Sequence, residues 1–477
     1  MRCCAATPAV VAVPGAATRA DPRGSLASAR QRCRTESTLS PLHPNLLCLS
    51  VQAEELGKGS FAFAFYMDTQ KDERERGVTI KCTTKEFFTE KYHYSVIDAP
   101  GHRDFIKNMI SGAAQADVGI LMVPADGNFT VAIQKGDHKK GEVQGQTRQH
   151  ARLINLLGVK QIIVGVNKMD TSIGDHKPYA EARFNEIKAE MQNVLRHVGW
   201  PPNFVEKKVP IVPISGFNGD NLLSMSPNMP WWKGQKVKIN KEKAMVVTCL
   251  LDGLNEFVQP AERNPEKPMR LPVSGVYKIK GVGDVLTGRV EQGNVLANKE
   301  VIFLPTHTAS TACPGKIFTV EMHHKRLEDG GKSGDNIGMN VKALNKDNMP
   351  RVGDVMIYKE DDSLKTSENF SAQVSVLDIP GQLKPGYSPI GHVRCGRAAC
   401  RLVKIDWKIG KETGGDKADC PPHLKTNDQA QAIFEPQQPM VVDKFSSCEG
   451  LARIAFLDGN SAVMLGKVQE TNLPKDW

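Results

Sequence analysis

A chain of 477 residues is too long for one hydrophobic core, so two to four domains are expected. Hydrophobic residues at 40% and charged residues at 24% are ordinary for a soluble globular protein, and no stretch approaches the roughly 20 apolar residues that span a bilayer. The formal net charge of +9 permits a polyanionic partner without demanding one, and 11 cysteines without a Cys-x-x-Cys pair favour buried or free thiols in a reducing compartment over zinc or disulfides.

Residues 1–48 are rich in Ala, Ser, Pro and Arg, with six arginines against Asp21 and Glu36. No sustained helical or strand period runs through them. Such an acid-poor start is open to three readings: an organelle transit peptide, a disordered tail or a wrongly assigned gene start. Pro8, Pro14 and Pro22 interrupt any amphipathic helix, which weighs against the first reading.

From about 92 to 253 short apolar runs alternate with helical patterns. Strands are expected at 92–97, 118–124, 161–166 and 209–214, and helices near 104–114, 147–157, 178–197 and 243–256. This alternation predicts a doubly wound parallel sheet covered on both faces, whose ligands sit at the carboxyl ends of the strands. After Pro260 the texture changes to short strand-like runs separated by Gly, Asp and Asn turns, first over 270–357 and again over 370–468. Two antiparallel β-barrels are expected. The expected domains are therefore 49–260, 261–364 and 365–477, preceded by the separate segment 1–48.

The motifs fall at the predicted strand ends. Asp98-Ala99-Pro100-Gly101-His102 follows the run 92–97. Asp98 is placed to meet a magnesium ion, Gly101 lets an amide approach a γ-phosphate, and His102 can orient an attacking water. Alone, a D-x-x-G is a common turn; the longer run 98–109 is far more specific. Asn167-Lys168-Met169-Asp170 ends the run 161–166. One carboxylate, Asp170, can accept both the N1–H and N2–H donors of guanine, which adenine lacks. Asn167 can meet the other edge of the base, and the Lys168 stem can cover its ring. Ser215-Gly216 ends the next strand, where backbone amides can meet the guanine carbonyl. Arg74-Glu75-Arg76-Gly77-Val78-Thr79-Ile80 precedes Asp98 at the distance of a switch loop, with the Thr79 hydroxyl available to magnesium. As an isolated string it reads equally well as a solvated charge run.

These residues resemble the eukaryotic elongation factor 1-alpha family, the GTPases that deliver aminoacyl-tRNA to the ribosome. The resemblance covers 53–468 and includes Gly57-Lys58-Gly59-Ser60-Phe61 and the residues 73–80, 98–117 and 158–170. It continues in Val276-Tyr277-Lys278-Ile279, Gly288-Arg289-Val290-Glu291, Val320-Glu321-Met322-His323-His324 and Pro380-Gly381-Gln382. It implies a GTPase domain followed by two barrels, GTP or GDP and Mg2+ as ligands, and a cytoplasmic location. It implies Thr79 and Asp98 as magnesium residues, Gly101, Asn167, Lys168, Asp170, Ser215 and Gly216 as nucleotide residues, and His102 as the water-positioning group. Glu321, His323 and Asn336 match the family's docking site for the aminoacylated tRNA end; the residues alone read as a polar barrel rim. The ribosome, a nucleotide-exchange factor and actin are the further implied partners.

One family feature is missing. The phosphate loop G-x-x-x-x-G-K-[ST] occurs nowhere upstream of Asp98. Val10-Val11-Ala12-Val13-Pro14-Gly15 imitates a strand entering a glycine loop, but Arg23-Gly24-Ser25 lacks the lysine. Gly331-Lys332-Ser333 has the tripeptide, yet Arg326 stands where the first glycine belongs. Charge-assisted hydrogen bonds contribute about 1.5–3 kcal/mol each. Losing two weakens binding by about 3–6 kcal/mol, or roughly 10²–10⁴-fold. In the last domain, Leu457 and Asn460 stand where the family carries arginines, which removes two basic contacts. The expected function is a translational GTPase. The alternatives are a non-catalytic paralogue that holds tRNA or protein, or a degenerate gene product.

Overall fold

The computed structural model describes residues 9–15, 66–89, 91–136, 145–174, 176–239, 243–260, 264–307, 314–322, 325–377, 379, 381–459 and 461–474. The chain divides after Pro260 into two compact units, except that 134–145 and 152–159 group with the second.

In the first unit, Ala9–Gly15 (β1), Thr83–Phe88 (β2) and His93–Asp98 (β3) form an antiparallel sheet in the order β1-β3-β2. Val118–Pro124 (β4), Gln161–Asn167 (β5) and Ile211–Pro213 (β6) form a parallel sheet in chain order. β4 and β5 are apolar and buried nearly throughout, as strands covered on both faces must be. Their register pairs Pro124 with Asn167 and Val166 with Pro213, so three strand ends come level. The helix Ile106–Ala113 (α1) buries Ile106, Met109 and Ile110, and Glu181–His197 (α2) buries Phe184, Ile187, Met191 and Leu195. Both stripes follow the 3.6-residue period, which covers the sheets with apolar side chains.

Three expectations change here. β3 runs antiparallel to both of its partners, so the parallel sheet among the described residues has three strands rather than four. The 243–256 run is not one helix. Ala244–Val247 pairs with Gln235–Lys238, and only Leu250–Phe257 turns helically. A β-branched pair with a partner strand beside it overrides a helical pattern. Lastly, residues 9–15, where Val10–Gly15 imitates a strand, form one although no sustained period runs through 1–48. β1 lies against β4 as well as pairing with β3, so the two sheets meet at it. Its direction is the important point: Ala9 pairs with Asp98 and Gly15 with His93. The carboxyl end of β1 therefore lies beside His93, away from Asp98.

The second unit contains both barrels. Leu271–Ile279 (β7), Gly283–Arg289 (β8), Glu300–Leu304 (β9), Gly315–Met322 (β10), Asn336–Lys342 (β11) and Val355–Tyr358 (β12) pair antiparallel in the closed order β9-β12-β7-β8-β11-β10. Phe370–Val376 (β13), Ile390–Val393 (β14), Gly396–Ile409 (β15), Gln429–Pro436 (β16), Arg453–Asp458 (β17) and Ser461–Thr471 (β18) close in the order β14-β17-β18-β13-β16-β15. Closure leaves no strand edge open along either ring. The expected barrels are thus present, with 270–273 and 275–280 joined in the single strand β7. Gly288 marks the bulge between β7 and β8: a Cβ there would lie 2.4 Å from the Pro272 carbonyl oxygen, so only glycine fits.

The first barrel's core includes Leu271, Leu286, Phe303, Ile317 and Met339. The second core includes Phe370, Leu402, Phe434 and Phe456, and it also takes in Leu304, Val355 and Ile357 from the first barrel. Across the same seam Arg394 donates to Glu291 at 2.7 Å. The barrels thus share an apolar seam and an ion pair. Cys249, Cys395, Cys400, Cys420 and Cys448 are free thiols. No described helix is long and apolar enough to cross a membrane.

Candidate nucleotide site

Parallel strands converge their carboxyl ends, and five of the predicted residues meet there. The Asn167 carboxamide oxygen accepts from the Lys168 amide and the Gly216 amide, both at 2.8 Å. The Ser215 hydroxyl donates to Asp170 at 2.6 Å. These bonds tie the end of β5 to the loop after β6. The Met169 and Ile214 amides reinforce the tie by donating to the Ile214 and Val166 carbonyls. Lys168 holds a positive φ of 64°, which turns the chain sharply after the strand. Its ammonium bonds Asp126 at 2.8 Å, the residue just beyond β4. Burial pushes the Asp126 carboxyl up, but Lys168 and Asn128 outweigh it and bring its pKa below the ordinary value.

Hydrogen bonds around Asp220 and Ser215 fix this arrangement. Asp220 accepts from Tyr179 at 2.8 Å and from Ser226 at 2.6 Å, and the Asn218 amide donates to the Ser215 hydroxyl at 3.2 Å. Asp126, Tyr179 and Asp220 were not singled out from the sequence. Asp126 had a usable signal, since it follows the predicted strand 118–124.

The phosphate end is built differently. Asp98 closes β3 half-buried, and burial, then Asp68 and Glu73, push its pKa up to about 7. Thr79 is buried, with its hydroxyl donating to Asp68 at 2.9 Å. The charge run before it is an ordered helix, Lys71–Arg76, ended by Gly77 at φ 69°. Glu73 is buried at 1% exposure and accepts from the Gln70, Ile80 and Lys81 amides at 3.0 Å. Gly101 is buried. His102 is half-exposed and accepts from the Asp104 amide at 3.3 Å, so its ring is tied to its own turn. Asp98, Thr79 and His102 make no hydrogen bond to Asn167, Lys168, Asp170 or Ser215.

The two ends fit their ligands unequally. One Asp170 oxygen has no protein partner among the described residues, so a base presenting two donors fits. Magnesium does not fit as the residues stand. Thr79 is engaged by Asp68, and no group of three His, Cys, Asp or Glu side chains among the described residues could hold an ion.

In the first barrel, Glu321 is exposed on β10 opposite Gly338, and Asn336 opens β11 two residues away. In this register both lie on one face of the sheet. The Asn336 carboxamide oxygen is buried without a hydrogen-bond partner. His323 lies outside the described residues, as do residues 16–65 with Gly57-Lys58-Gly59-Ser60.

Comparison with known proteins accords with this geometry. Residues 40–260 match the elongation factor Tu GTP binding domain, and 369–469 match the GTP-eEF1A C-terminal domain-like family. Elongation factor 1-alpha of Absidia glauca is 42% identical over 419 residues, 88% of this chain and 86% of that protein. The chain belongs to the elongation factor 1-alpha family. The family protein of Onchocerca volvulus is 40% identical over 422 residues, again 88% and 86%. Two solved structures share the fold: a bacterial selenocysteine-specific elongation factor EF-Sec, and elongation factor SelB from Methanococcus maripaludis in complex with a GTP analogue. The first has a TM-score of 0.58 and 17% identity over 84% of this chain and 53% of that one. The second has 0.58 and 19% over 83% and 75%.

Proposed function

We propose that this member of the elongation factor 1-alpha family binds GTP and GDP through an intact guanine-reading end and carries aminoacyl-tRNA to the ribosome. The observation that supports the nucleotide reading most is the clamp at the ends of β5 and β6. There Asn167 holds the Gly216 loop, and Asp170 keeps an oxygen for the base. In this reading Gly101 serves the γ-phosphate and His102 the attacking water, while Thr79 and Asp98 would meet the magnesium only once Asp68 releases the Thr79 hydroxyl. Glu321, His323 and Asn336 receive the tRNA end, and the unpartnered Asn336 oxygen supports a ligand there. The domains are 49–260, 261–364 and 365–477, in the cytoplasm, with a nucleotide-exchange factor and actin as further partners.

A second reading is a non-catalytic binding module built on the barrels. The antiparallel direction of β1 favours it, since the carboxyl end of that strand lies beside His93 rather than Asp98.

Titration of the full chain with a fluescent-labelled GDP in magnesium separates the two. Micromolar or tighter affinity is expected of the first reading. Asp170→Asn should then weaken it by roughly 10²–10⁴-fold, the loss of two charge-assisted bonds, and shift preference towards xanthosine diphosphate. No binding of the unaltered chain at tens of micromolar sinks the nucleotide reading. Capture of aminoacyl-tRNA without nucleotide then tests the second.

A further inference from the structure

The loop that carries Asp170 has a left-handed residue at each end. Lys168 holds a φ of 64° and Tyr179 a φ of 60°. A bulky aromatic residue seldom adopts that region, and backbone of this kind persists only where its surroundings hold it there. At Tyr179 they do. Its amide donates to the Met169 carbonyl at 2.6 Å, and its carbonyl accepts from the Trp231 indole at 2.8 Å. Trp231 rests against Phe184, which is buried on α2, with ring centroids 5.5 Å apart.

The phenol then joins the two loops of the guanine site. It donates to Asp220 at 2.8 Å and accepts from the Asn218 carboxamide at 2.9 Å. Both partners lead to Ser215. The Asp220 carbonyl accepts from the Ser215 amide at 3.2 Å, and the Asn218 amide donates to the Ser215 hydroxyl. Ser215 in turn donates to Asp170. Tyr179 therefore reaches Asp170 by two routes: its backbone holds the neighbouring Met169, and its hydroxyl holds the loop that bonds the Asp170 carboxylate. The other Asp220 oxygen is occupied by Ser226 and Asn228, so this buried carboxylate is itself fixed in place. Burial, and after it the Asp220 carboxylate, raise the Tyr179 pKa, so the hydroxyl stays protonated and remains a donor at neutral pH.

We propose that Tyr179 is a positioning residue for base recognition: its hydroxyl latches the Ser215–Asp220 loop to the Asp170 loop and so sets how Asp170 meets the two donors of guanine. This role rests on the nucleotide reading above. Tyr179 acts through Asp220, Asn218 and Ser215 rather than on the base itself.

Tyr179→Phe removes the hydroxyl and keeps the ring. The full chain and this variant are titrated with GDP and with inosine diphosphate, whose base lacks the N2 donor. GDP affinity should fall roughly tenfold or more, the loss of a hydrogen bond to a charged group, and inosine diphosphate affinity by about threefold at most. The preference for guanine thus narrows, whereas a merely structural defect weakens both nucleotides alike. Tyr387→Phe, which removes a phenol bonded to Asp458 at the same 2.8 Å in the second barrel, should change neither affinity. Deuterium exchange of the nucleotide-free chains reads the latch without a ligand. Amides of 215–219 should exchange roughly tenfold faster in Tyr179→Phe and at the unaltered rate in Tyr387→Phe. Equal losses for the two nucleotides, or unchanged exchange, overturn the proposal while GDP binding by the unaltered chain keeps the nucleotide reading. Failure of the unaltered chain to bind GDP sinks that reading instead, and this role of Tyr179 falls with it.

Discussion

Asp98 shows how a single residue can be legible in sequence and still change meaning in the fold. Its place at the end of an apolar run was evident, but Asp68 and Glu73 are partners only through space. Together with burial they lift its pKa from 3.8 to about 7. Protonation therefore favours the folded state. The contribution is complete below pH 3.8 and is lost as pH rises through about 7. Asp98→Asn should be more stable than the unaltered chain at pH 8, with the difference closing as pH falls towards 4. Urea melts across that range measure it, and a difference independent of pH would refute the assigned neighbours. Asn167, Lys168, Asp170, Ser215 and Gly216 were readable because each sits in a contiguous motif at a strand end. Asp126, Tyr179 and Asp220 were not, because they join the site from separate segments of chain.

At the scale of elements, the strands of the barrels and the helices at 106–113 and 181–197 followed from hydrophobic period alone. Two departures share one cause. The 244–247 strand exists because Gln235–Lys238 supplies a partner, and β1 exists because β3 offers an unpaired edge. Partners of this kind are invisible to local pattern. Deleting residues 1–15 should leave one edge of β3 without hydrogen bonds. Amides of β3 should then exchange with deuterium roughly tenfold faster or more, while those of β16 in the second barrel keep their rates. Unchanged exchange in β3 would mean that β1 contributes nothing to the sheet.

For the molecule as a whole, the sequence suggested two barrel domains with a boundary near 365, yet one compact unit holds both. Ile357 explains why: it belongs to a first-barrel strand but is fully buried in the core of the second barrel. Ile357→Ala should cost about 2–5 kcal/mol, as large-to-small changes in a core do. Calorimetry should show both barrels melting in one transition that shifts as a whole. Two transitions, with only one displaced, would show the barrels to be thermodynamically independent.

The sequence by itself determined family and fold class and named the residues of the candidate guanine site, because these are written in short motifs and in the period of apolar residues. Tertiary structure alone decided how the incomplete end is arranged. Strand direction, the engagement of Thr79 by Asp68 and the raised pKa of Asp98 all depend on which distant segments come to lie together. The physical reason is range: hydrophobic period and turn chemistry act over a few residues, whereas pairing, desolvation and charge act through space once the chain has closed on itself.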